Sequence, residues 1–234
     1  MRFDTFQFTD KGKREPNEDS IGAFTNEHFS AWIAADGLGG HINGELASAE
    51  AVAALEEQMR SCVSIDRSFV ESAMRLIHRR IMMLGGPLTT AVAAFSDEEK
   101  LFYSNCGDSR FIFIRNGKVL KRSNDHSVAY ALYQRGDIPY EEIPNNPYQN
   151  RLLHAMGVAD DFSGESYEPI ALEPDDAFIL CTDGFWELVS ERDVLRTLKV
   201  SPTAETWAEL MLDLLRERMT ETSDNYSLIT VQVK

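Results

Sequence analysis

The chain has 234 residues, of which 38 are acidic and 23 basic, so its formal net charge is −15. This length suits a single domain over residues 1–234, which would bury about 70–75% of its unfolded surface. The acidic charge argues against a nucleic-acid or anionic-membrane partner bound through a general basic field. The absence of a long apolar stretch or a leader-like segment, together with three widely spaced cysteines, predicts a soluble protein of the reducing cytoplasm.

Ten segments are predicted as strands from their apolar runs and from the turn residues between them. A pair of helices is predicted between the third and fourth strands, the first after Asn43-Gly44 and the second behind a capping box of Ser68 and Glu71. A late helix is predicted with Ser201 as N-cap and Pro202 as its first residue. The predicted strands are 3–9, 20–25, 29–35, 88–96, 100–105, 110–115, 118–121, 164–172, 177–182 and 226–233.

The order of these elements predicts an α+β fold. Runs of strands interrupted by paired helices, without steady strand-helix-strand alternation, favour an antiparallel sheet or sandwich covered by helices. The Asn116-Gly117 hairpin turn supports antiparallel pairing. Residues 127–150 contain several Gly, Pro and Asn residues, and they are predicted to form a short helix followed by a flap that borders a site.

Two apolar strands run into the same dipeptide, Asp36-Gly37 and Asp183-Gly184. Asp-Gly is also a favoured hairpin turn. Here, however, the dipeptides are followed by a glycine-rich loop at 38–44 and by a helix-like segment at 185–188, not by a returning strand. Carboxylates delivered by buried strands suit hard metal ions, so the two aspartates are candidate ligands of divalent cations.

Further acidic residues stand at the ends of predicted strands, at Glu18-Asp19, Asp108, Asp125 and Asp224. Each of these alone is typical of a turn or a helix cap. Arg14 precedes the first cluster, and a guanidinium fork suits bidentate recognition of a phosphate. The alternative for Arg14 is an ordinary exposed arginine on the protein surface.

Taken in order, these motifs resemble the metal-dependent serine/threonine protein phosphatases of the type-2C class, and in particular their bacterial branch. The resemblance covers nearly the whole chain and depends on the ordered set, because any one motif is weak. The matching segments are Arg14-x-x-Asn17-Glu18-Asp19, Asp36-Gly37-Leu38-Gly39-Gly40-His41-x-x-Gly44-Glu45, Thr89-Thr90-Ala91, Asn105-Cys106-Gly107-Asp108-Ser109-Arg110, Asp125-His126-Ser127, Cys181-Thr182-Asp183-Gly184-Phe185-Trp186 and Asp224-Asn225.

The resemblance implies a four-layer fold, in which a central sandwich of two antiparallel sheets is flanked by helix pairs and carries a metal cluster at one end. It also implies that Asp36 bridges two Mn²⁺ or Mg²⁺ ions and that Gly37 gives its carbonyl to one of them. Asp183 and Asp224 would complete the shell of the other ion. Asp108 would bind a third ion together with Asp183.

The same resemblance implies that Glu18 and Asp19 hold metal-bound waters and that Arg14 clasps the substrate phosphate. Two positions fit the family less well. The usual Gly-Thr-Thr is stretched to residues 86–90, and His41 lies beyond a Gly-Gly spacer, so His41 is interpreted as structural and not as the general acid.

The resemblance implies hydrolysis of phosphoserine and phosphothreonine in proteins. Two metal ions about 3.5–4 Å apart can convert a bridging water into a hydroxide nucleophile, and oxygen-only ligands select Mg²⁺ or Mn²⁺ over zinc. The expected protein is a monomer with two or three ions that acts on phosphoproteins of a cognate serine/threonine kinase. The alternatives are a two-metal phosphohydrolase of small phosphoesters and a silent family member that binds phosphoproteins.

Overall fold

The computed structural model describes residues 1–38, 43–158 and 161–234. Within them, no helix combines the length and the apolar character needed to cross a membrane. A 3-10 helix covers Tyr140–Asn145. The α-helices are α1 (Gly44–Arg60), α2 (Arg67–Met82), α3 (Val128–Gln134), α4 (Asp183–Trp186), α5 (Glu191–Leu198) and α6 (Ala204–Arg218). The strands are β1 (Phe3–Asp10), β2 (Asp19–Thr25), β3 (Ser30–Asp36), β4 (Ala91–Ser96), β5 (Lys100–Cys106), β6 (Arg110–Arg115), β7 (Lys118–Arg122), β8 (Glu165–Ser166), β9 (Ile170–Ala171), β10 (Ala177–Cys181) and β11 (Tyr226–Val233).

The strands form two antiparallel sheets that pack face to face. One sheet has the order β1-β11-β10-β6-β7, and the other has the order β2-β3-β4-β5-β8, with β9 also paired to β5. The core between the sheets includes Trp32 and Phe178, whose ring centroids lie 5.0 Å apart. Helices α1 and α2 cover the outer face of the second sheet, and α6 covers the outer face of the first. The predicted four-layer sandwich is therefore confirmed.

Strand β3 shows why its sequence is continuously apolar. Ala31, Ile33 and Ala35 belong to the core under α1 and α2, whereas Trp32 and Ala34 belong to the core between the sheets. Because successive side chains of a strand point to opposite faces, burial of both faces requires apolar residues at every position. The buried strand thus fixes the position of Asp36, its last residue.

Two predicted helix starts are wrong. Helix α2 begins at Arg67, and its N-cap is Asp66, whose carboxylate accepts a hydrogen bond from the Phe69 N–H at 2.7 Å. Helix α6 begins at Ala204 behind the N-cap Thr203, so Ser201 and Pro202 precede it. In both cases two candidate capping residues stand two positions apart, and only the one with extended backbone just before the first helical turn can accept hydrogen bonds from its free N–H groups.

Two predicted strands are shorter than expected. Strand β4 begins at Ala91, while Thr89 forms isolated bridges with Gly37 and Met156. Segment 164–172 contributes only the two-residue strands β8 and β9. Pro169 lies between them and cannot donate a ladder hydrogen bond, which limits regular pairing there.

Candidate metal centre

Hydrogen bonds of its backbone fix Asp36 at the end of β3. Its N–H donates to Thr90 Oγ1 at 3.0 Å, and its carbonyl accepts from the Thr90 N–H at 2.8 Å and from Thr89 Oγ1 at 2.7 Å. Asp19, at the start of β2, is the partner of Asp36 in the β2-β3 ladder. The two aspartates are therefore brought together by strand register.

Gly37 lies where three segments of backbone meet. Its N–H donates to the Glu18 carbonyl at 3.1 Å. A Cβ at this position would lie 2.3 Å from the Gly44 carbonyl oxygen and 2.8 Å from the Glu18 carbonyl oxygen. A larger residue would push these segments apart, so glycine is required for Glu18 and the start of α1 to reach Asp36.

The other sheet supplies Asp183 and Asp224. Asp183 is the first residue of α4, shortly after β10, and Asp224 lies just before β11. Because β10 and β11 are antiparallel neighbours, with Cys181 paired to Leu228, the end of one strand and the start of the other fall at the same edge.

Asp108 lies in the connection from β5 to β6, which passes from one sheet to the other. Its side chain is buried. The Trp186 indole N–H donates to the Asp108 carbonyl at 3.0 Å, which ties this connection to α4. Asp108 and Asp183 are thereby held on neighbouring, mutually bonded segments.

Asp19 joins the two sheets at this edge. Its Oδ2 accepts hydrogen bonds from Thr182 Oγ1 at 2.8 Å and from Ser227 Oγ at 2.7 Å. Its Oδ1 is buried and has no hydrogen-bond partner in the part of the chain that the structure describes. Glu18 is anchored through its backbone, since its N–H donates to Asn225 Oδ1 at 2.9 Å.

These residues surround one cavity of about 520 Å³. Arg14 lines it, and its Nη1 lies 2.6 Å from Asp224 Oδ2. Asp19 is buried behind the lining. Among the described residues, the carboxylates that line the cavity are those of Glu18, Asp36, Asp108, Asp183 and Asp224.

Burial and mutual repulsion disfavour the charged form of these carboxyl groups in the absence of a cation. Burial, followed by repulsion from neighbouring aspartates, raises the pKa of Asp36 well above its ordinary value, and the same causes act on the pKa of Asp108. Burial raises the pKa of Asp19 to about 7 and that of Asp183 to about 6. Burial also raises the pKa of Asp224, although the Arg14 guanidinium opposes this shift. A bound cation would relieve this cost.

The donor set fits Mg²⁺ or Mn²⁺. Two buried carboxylate oxygens, Asp19 Oδ1 and Asp183 Oδ1, find no hydrogen-bond partner among the described residues, and all candidate donors are oxygens. Within the described residues, no three His, Cys, Asp or Glu side chains are already arranged to hold an ion among themselves. This is compatible with hard cations of this kind, because Mg²⁺ in particular keeps several water ligands and needs only one or two carboxylates.

The structure also places residues near the cavity that the sequence motifs did not single out. His154 lines the cavity, and its ring lies edge-on to that of His126 at 5.2 Å. Gln149, at the end of the predicted flap, donates its amide to Glu187, whose pKa burial and Asp183 raise to about 8. No local pattern marks these residues, since long-range packing brings them near the carboxylates of the site.

Two histidines, His126 and His41, stand in the segments that match the family. His126 has a structural contact, because its Nδ1 accepts a hydrogen bond from the Gly107 N–H at 3.2 Å. His41 lies outside the described residues.

Comparison with known proteins places this site in a family. The sequence model described as Protein phosphatase 2C matches residues 11–222. The chain belongs to the protein phosphatase 2C family. It is thus a protein phosphatase of the 2C type, as the resemblance predicted.

Individual relatives of this 2C family member are bacterial. The chain is 29% identical over 218 residues to the serine/threonine phosphatase stp of Listeria monocytogenes, covering 87% of this chain and 86% of that protein. Among solved structures, serine/threonine phosphatase Stp1 from Staphylococcus aureus is 26% identical with a TM-score of 0.89, covering 100% of this chain and 96% of that one. The catalytic domain of the phosphatase PstP, solved in complex with 2 manganese ions, is 25% identical with a TM-score of 0.81, covering 99% of both chains.

Proposed function

We propose that this chain hydrolyses phosphoserine and phosphothreonine in proteins, using two or three Mn²⁺ or Mg²⁺ ions held in the cavity. The observation that supports this proposal is the arrangement of one guanidinium, that of Arg14, beside five carboxylates drawn from both sheets. A phosphate dianion needs both positive charge and hydrogen-bond donors. Arg14 together with carboxylate-bound cations supplies them in one place.

We assign the metal ligands as follows. Asp36 would be shared by two ions, with the Gly37 carbonyl on one of them and Asp183 and Asp224 on the other. Asp108 and Asp183 would hold a third ion, and Glu18 and Asp19 would orient coordinated waters. When bound, such cations supply Lewis acidity, which screens the phosphoryl oxygens and activates water as the nucleophile.

The residues of the chain itself bind and orient the substrate. The Arg14 guanidinium offers a donor fork to two phosphoryl oxygens, and its contact with Asp224 holds that fork at the cavity. When cations are bound, their positive charge would keep the carboxylates deprotonated as ligands. Arg14 would thus orient the substrate phosphate, and the aspartates would position the metal ions.

Replacing Arg14 by Ala is expected to raise KM for a phosphothreonine peptide about tenfold or more and to change kcat much less, because a phosphate clasp contributes mainly uniform binding. Steady-state kinetics at saturating Mn²⁺ measures both constants. Arg60→Ala is the matched control, since Arg60 pairs with Glu56 on the exposed side of α1. A KM like that of the unmodified protein would show that Arg14 does not contact substrate.

Replacing Asp108 by Ala is expected to lower activity while leaving two ions bound, because the ligands assigned to those two ions do not include Asp108. The third cation would lose one of very few protein ligands. Crystals grown in Mn²⁺ should show two ions in the variant and three in the unmodified protein. Loss of all ions, or unchanged turnover, would contradict this assignment.

A metal-dependent hydrolysis assay tests the proposed function directly. It compares p-nitrophenyl phosphate, a phosphothreonine peptide and bis-p-nitrophenyl phosphate, each with Mn²⁺, with Mg²⁺ and with a chelator. We expect turnover of both monoesters only when metal is present. Turnover confined to the diester would instead assign the chain to phosphodiester hydrolysis, and binding of the phosphopeptide without turnover would assign it to phosphoprotein recognition.

We also propose that residues 1–234 form one catalytic domain, which acts as a cytoplasmic monomer on the products of a cognate serine/threonine kinase. All three cysteines, Cys62, Cys106 and Cys181, are free thiols, which suits a reducing compartment. Sedimentation at assay concentrations, together with fractionation of the source cells, tests the oligomeric state and the location.

A further inference from the structure

One side of the cavity is apolar, and the phosphate chemistry gives it no role. This apolar wall consists of Leu38, Leu88, Leu152, Leu153 and Val158. Leu153 is 53% exposed and Val158 is 38% exposed. Single exposed apolar side chains are normal, but an apolar cluster beside convergent polar groups is typical of a binding surface.

The position of Leu153 is set by backbone hydrogen bonds. The Leu153 N–H donates to the His126 carbonyl at 2.7 Å, and Leu152 forms an isolated bridge with Ser127. Three residues further on, Met156 forms a bridge with Thr89, and its N–H donates to the Thr89 carbonyl at 2.8 Å. The segment is thus tied at both ends, and the exposure of Leu153 is a property of the fold.

The rest of the wall is joined to the same framework. The Leu38 N–H donates to the Leu88 carbonyl at 3.0 Å, so the wall begins one residue beyond Gly37. Gly157 has a φ of +90°, and a Cβ there would lie 2.5 Å from Ile81 Cγ2 and 3.3 Å from Leu88 Cδ2. This close turn places Gly157, the residue before Val158, against Leu88, so the segments that carry Leu38, Leu88 and Val158 meet at the cavity.

We propose that the apolar wall binds an apolar side chain that flanks the phosphorylated residue of a protein substrate. This inference rests on the proposed function. A phosphate held at Arg14 fixes the attached peptide at the cavity, and the residues of the wall line the same cavity as Arg14. A flanking Leu, Ile, Val or Phe would lose apolar surface to the wall, whereas Ser or Asp would gain no such stabilisation.

The test is a set of phosphothreonine peptides in which Leu or Ser occupies, in turn, each of the two positions on either side of phosphothreonine. We expect kcat/KM to be about tenfold higher for Leu than for Ser at one or more of these positions. Equal kcat/KM values for Leu and Ser at every position would overturn the inference while leaving the proposed function intact. Failure to hydrolyse any peptide would overturn both.

Variants of the wall separate its contribution from general effects. In Leu153→Asn, the Leu-to-Ser preference is expected to fall to about one, since the wall loses its most exposed apolar residue. Val200→Asn is the matched control, because Val200 is 67% exposed and does not line this cavity. It should keep the preference of the unmodified protein. A preference that persists in Leu153→Asn would overturn the role assigned to the wall.

Sedimentation velocity tests the alternative that a second copy of this chain, and not a substrate side chain, binds the apolar wall. We expect the unmodified protein and Leu153→Asn to sediment alike over the concentration range of the assay. A concentration-dependent dimer that Leu153→Asn abolishes would assign the wall to self-association and overturn the inference.

Discussion

Replacing Asp36 or Asp183 by Asn is expected to lower phosphatase activity by more than about 100-fold. Loss of an outer-shell partner of a metal ligand lowers activity by up to about 100-fold, and loss of the ligand itself should have a larger effect. Each change removes a negative charge from the cation site but keeps the shape of the side chain. The assay is hydrolysis of a phosphothreonine peptide over a wide range of Mn²⁺ concentrations. Activity within a few-fold of the unmodified protein at excess Mn²⁺ would contradict the assigned ligand roles.

In the absence of metal, the same Asp183→Asn variant is expected to become more stable relative to the unmodified protein as pH rises. Burial and the neighbouring Asp224 raise the folded-state pKa of Asp183 to about 6. The stabilisation from protonated Asp183 is therefore present below the pKa of the unfolded chain and is lost as pH rises through about 6. Asn does not titrate. The free energy of unfolding of Asp183→Asn, relative to that of the unmodified protein, should therefore increase by about 1 to 3 kcal/mol between pH 4 and pH 8.

Urea unfolding with a chelator at the two pH values measures this shift. Asp213→Asn is the control, since Asp213 is an exposed partner of Arg216, and its effect should change little with pH. If the free energies of unfolding of Asp183→Asn and the unmodified protein differ by a constant amount across this pH range, the pKa of Asp183 is not raised in the folded protein.

Replacing Asp125 by Ala is expected to lower the free energy of unfolding by about 3 to 5 kcal/mol. Arg110 binds Asp125 through two hydrogen bonds, of 2.9 Å from Nε and 2.6 Å from Nη2. The two side chains are only 6% and 1% exposed. Removing the carboxylate leaves a buried guanidinium without its anionic partner, which is far more costly than losing an ion pair at the surface.

Urea unfolding measured with a chelator separates this effect from metal binding. Asp213→Ala is the matched control, and its loss should not exceed about 1 kcal/mol. The double variant Arg110→Met, Asp125→Leu should recover part of the stability, because it removes both charges together. A loss below about 1 kcal/mol for Asp125→Ala would show that the pair does not hold this region.

The expected cost of Asp125→Ala has a consequence for the cavity. The Arg110 guanidinium carbon lies 3.5 Å from the centre of a Trp186 ring, and the Trp186 indole N–H is bonded to the Asp108 carbonyl. An unpaired Arg110 would therefore disturb the segments that carry Asp108 and Asp183. The variant is expected to lose activity in addition to stability.

The parts of the centre that could be predicted from sequence are those fixed by local rules. The apolar runs of β3 and β10 end at Asp36 and just before Asp183, so a motif search finds both aspartates. The predicted N-caps of α2 and α6 are wrong, because each start offers two capping residues two positions apart and only the backbone conformation decides between them.

The apolar wall could not be predicted from any local pattern. Leu38 directly follows the Asp36-Gly37 motif, but Leu88 and Leu153 are ordinary apolar residues in sequence, and no pattern near them indicates a shared apolar surface. They become neighbours through the bridges at Thr89 and Ser127, which are isolated pairings without strand periodicity. Surfaces built in this way require the tertiary structure.

The hydrogen bonds from Thr182 and Ser227 to Asp19 place the cation site across the seam between two layers of the sandwich. A bound ion would then crosslink the two sheets, since it would contact ligands from both layers and hold them in register. Binding energy of this kind adds to folding stability by mass action. Thermal stability should therefore rise with Mn²⁺ concentration, and a substitution deep between the sheets that alters their spacing should weaken cation affinity from a distance.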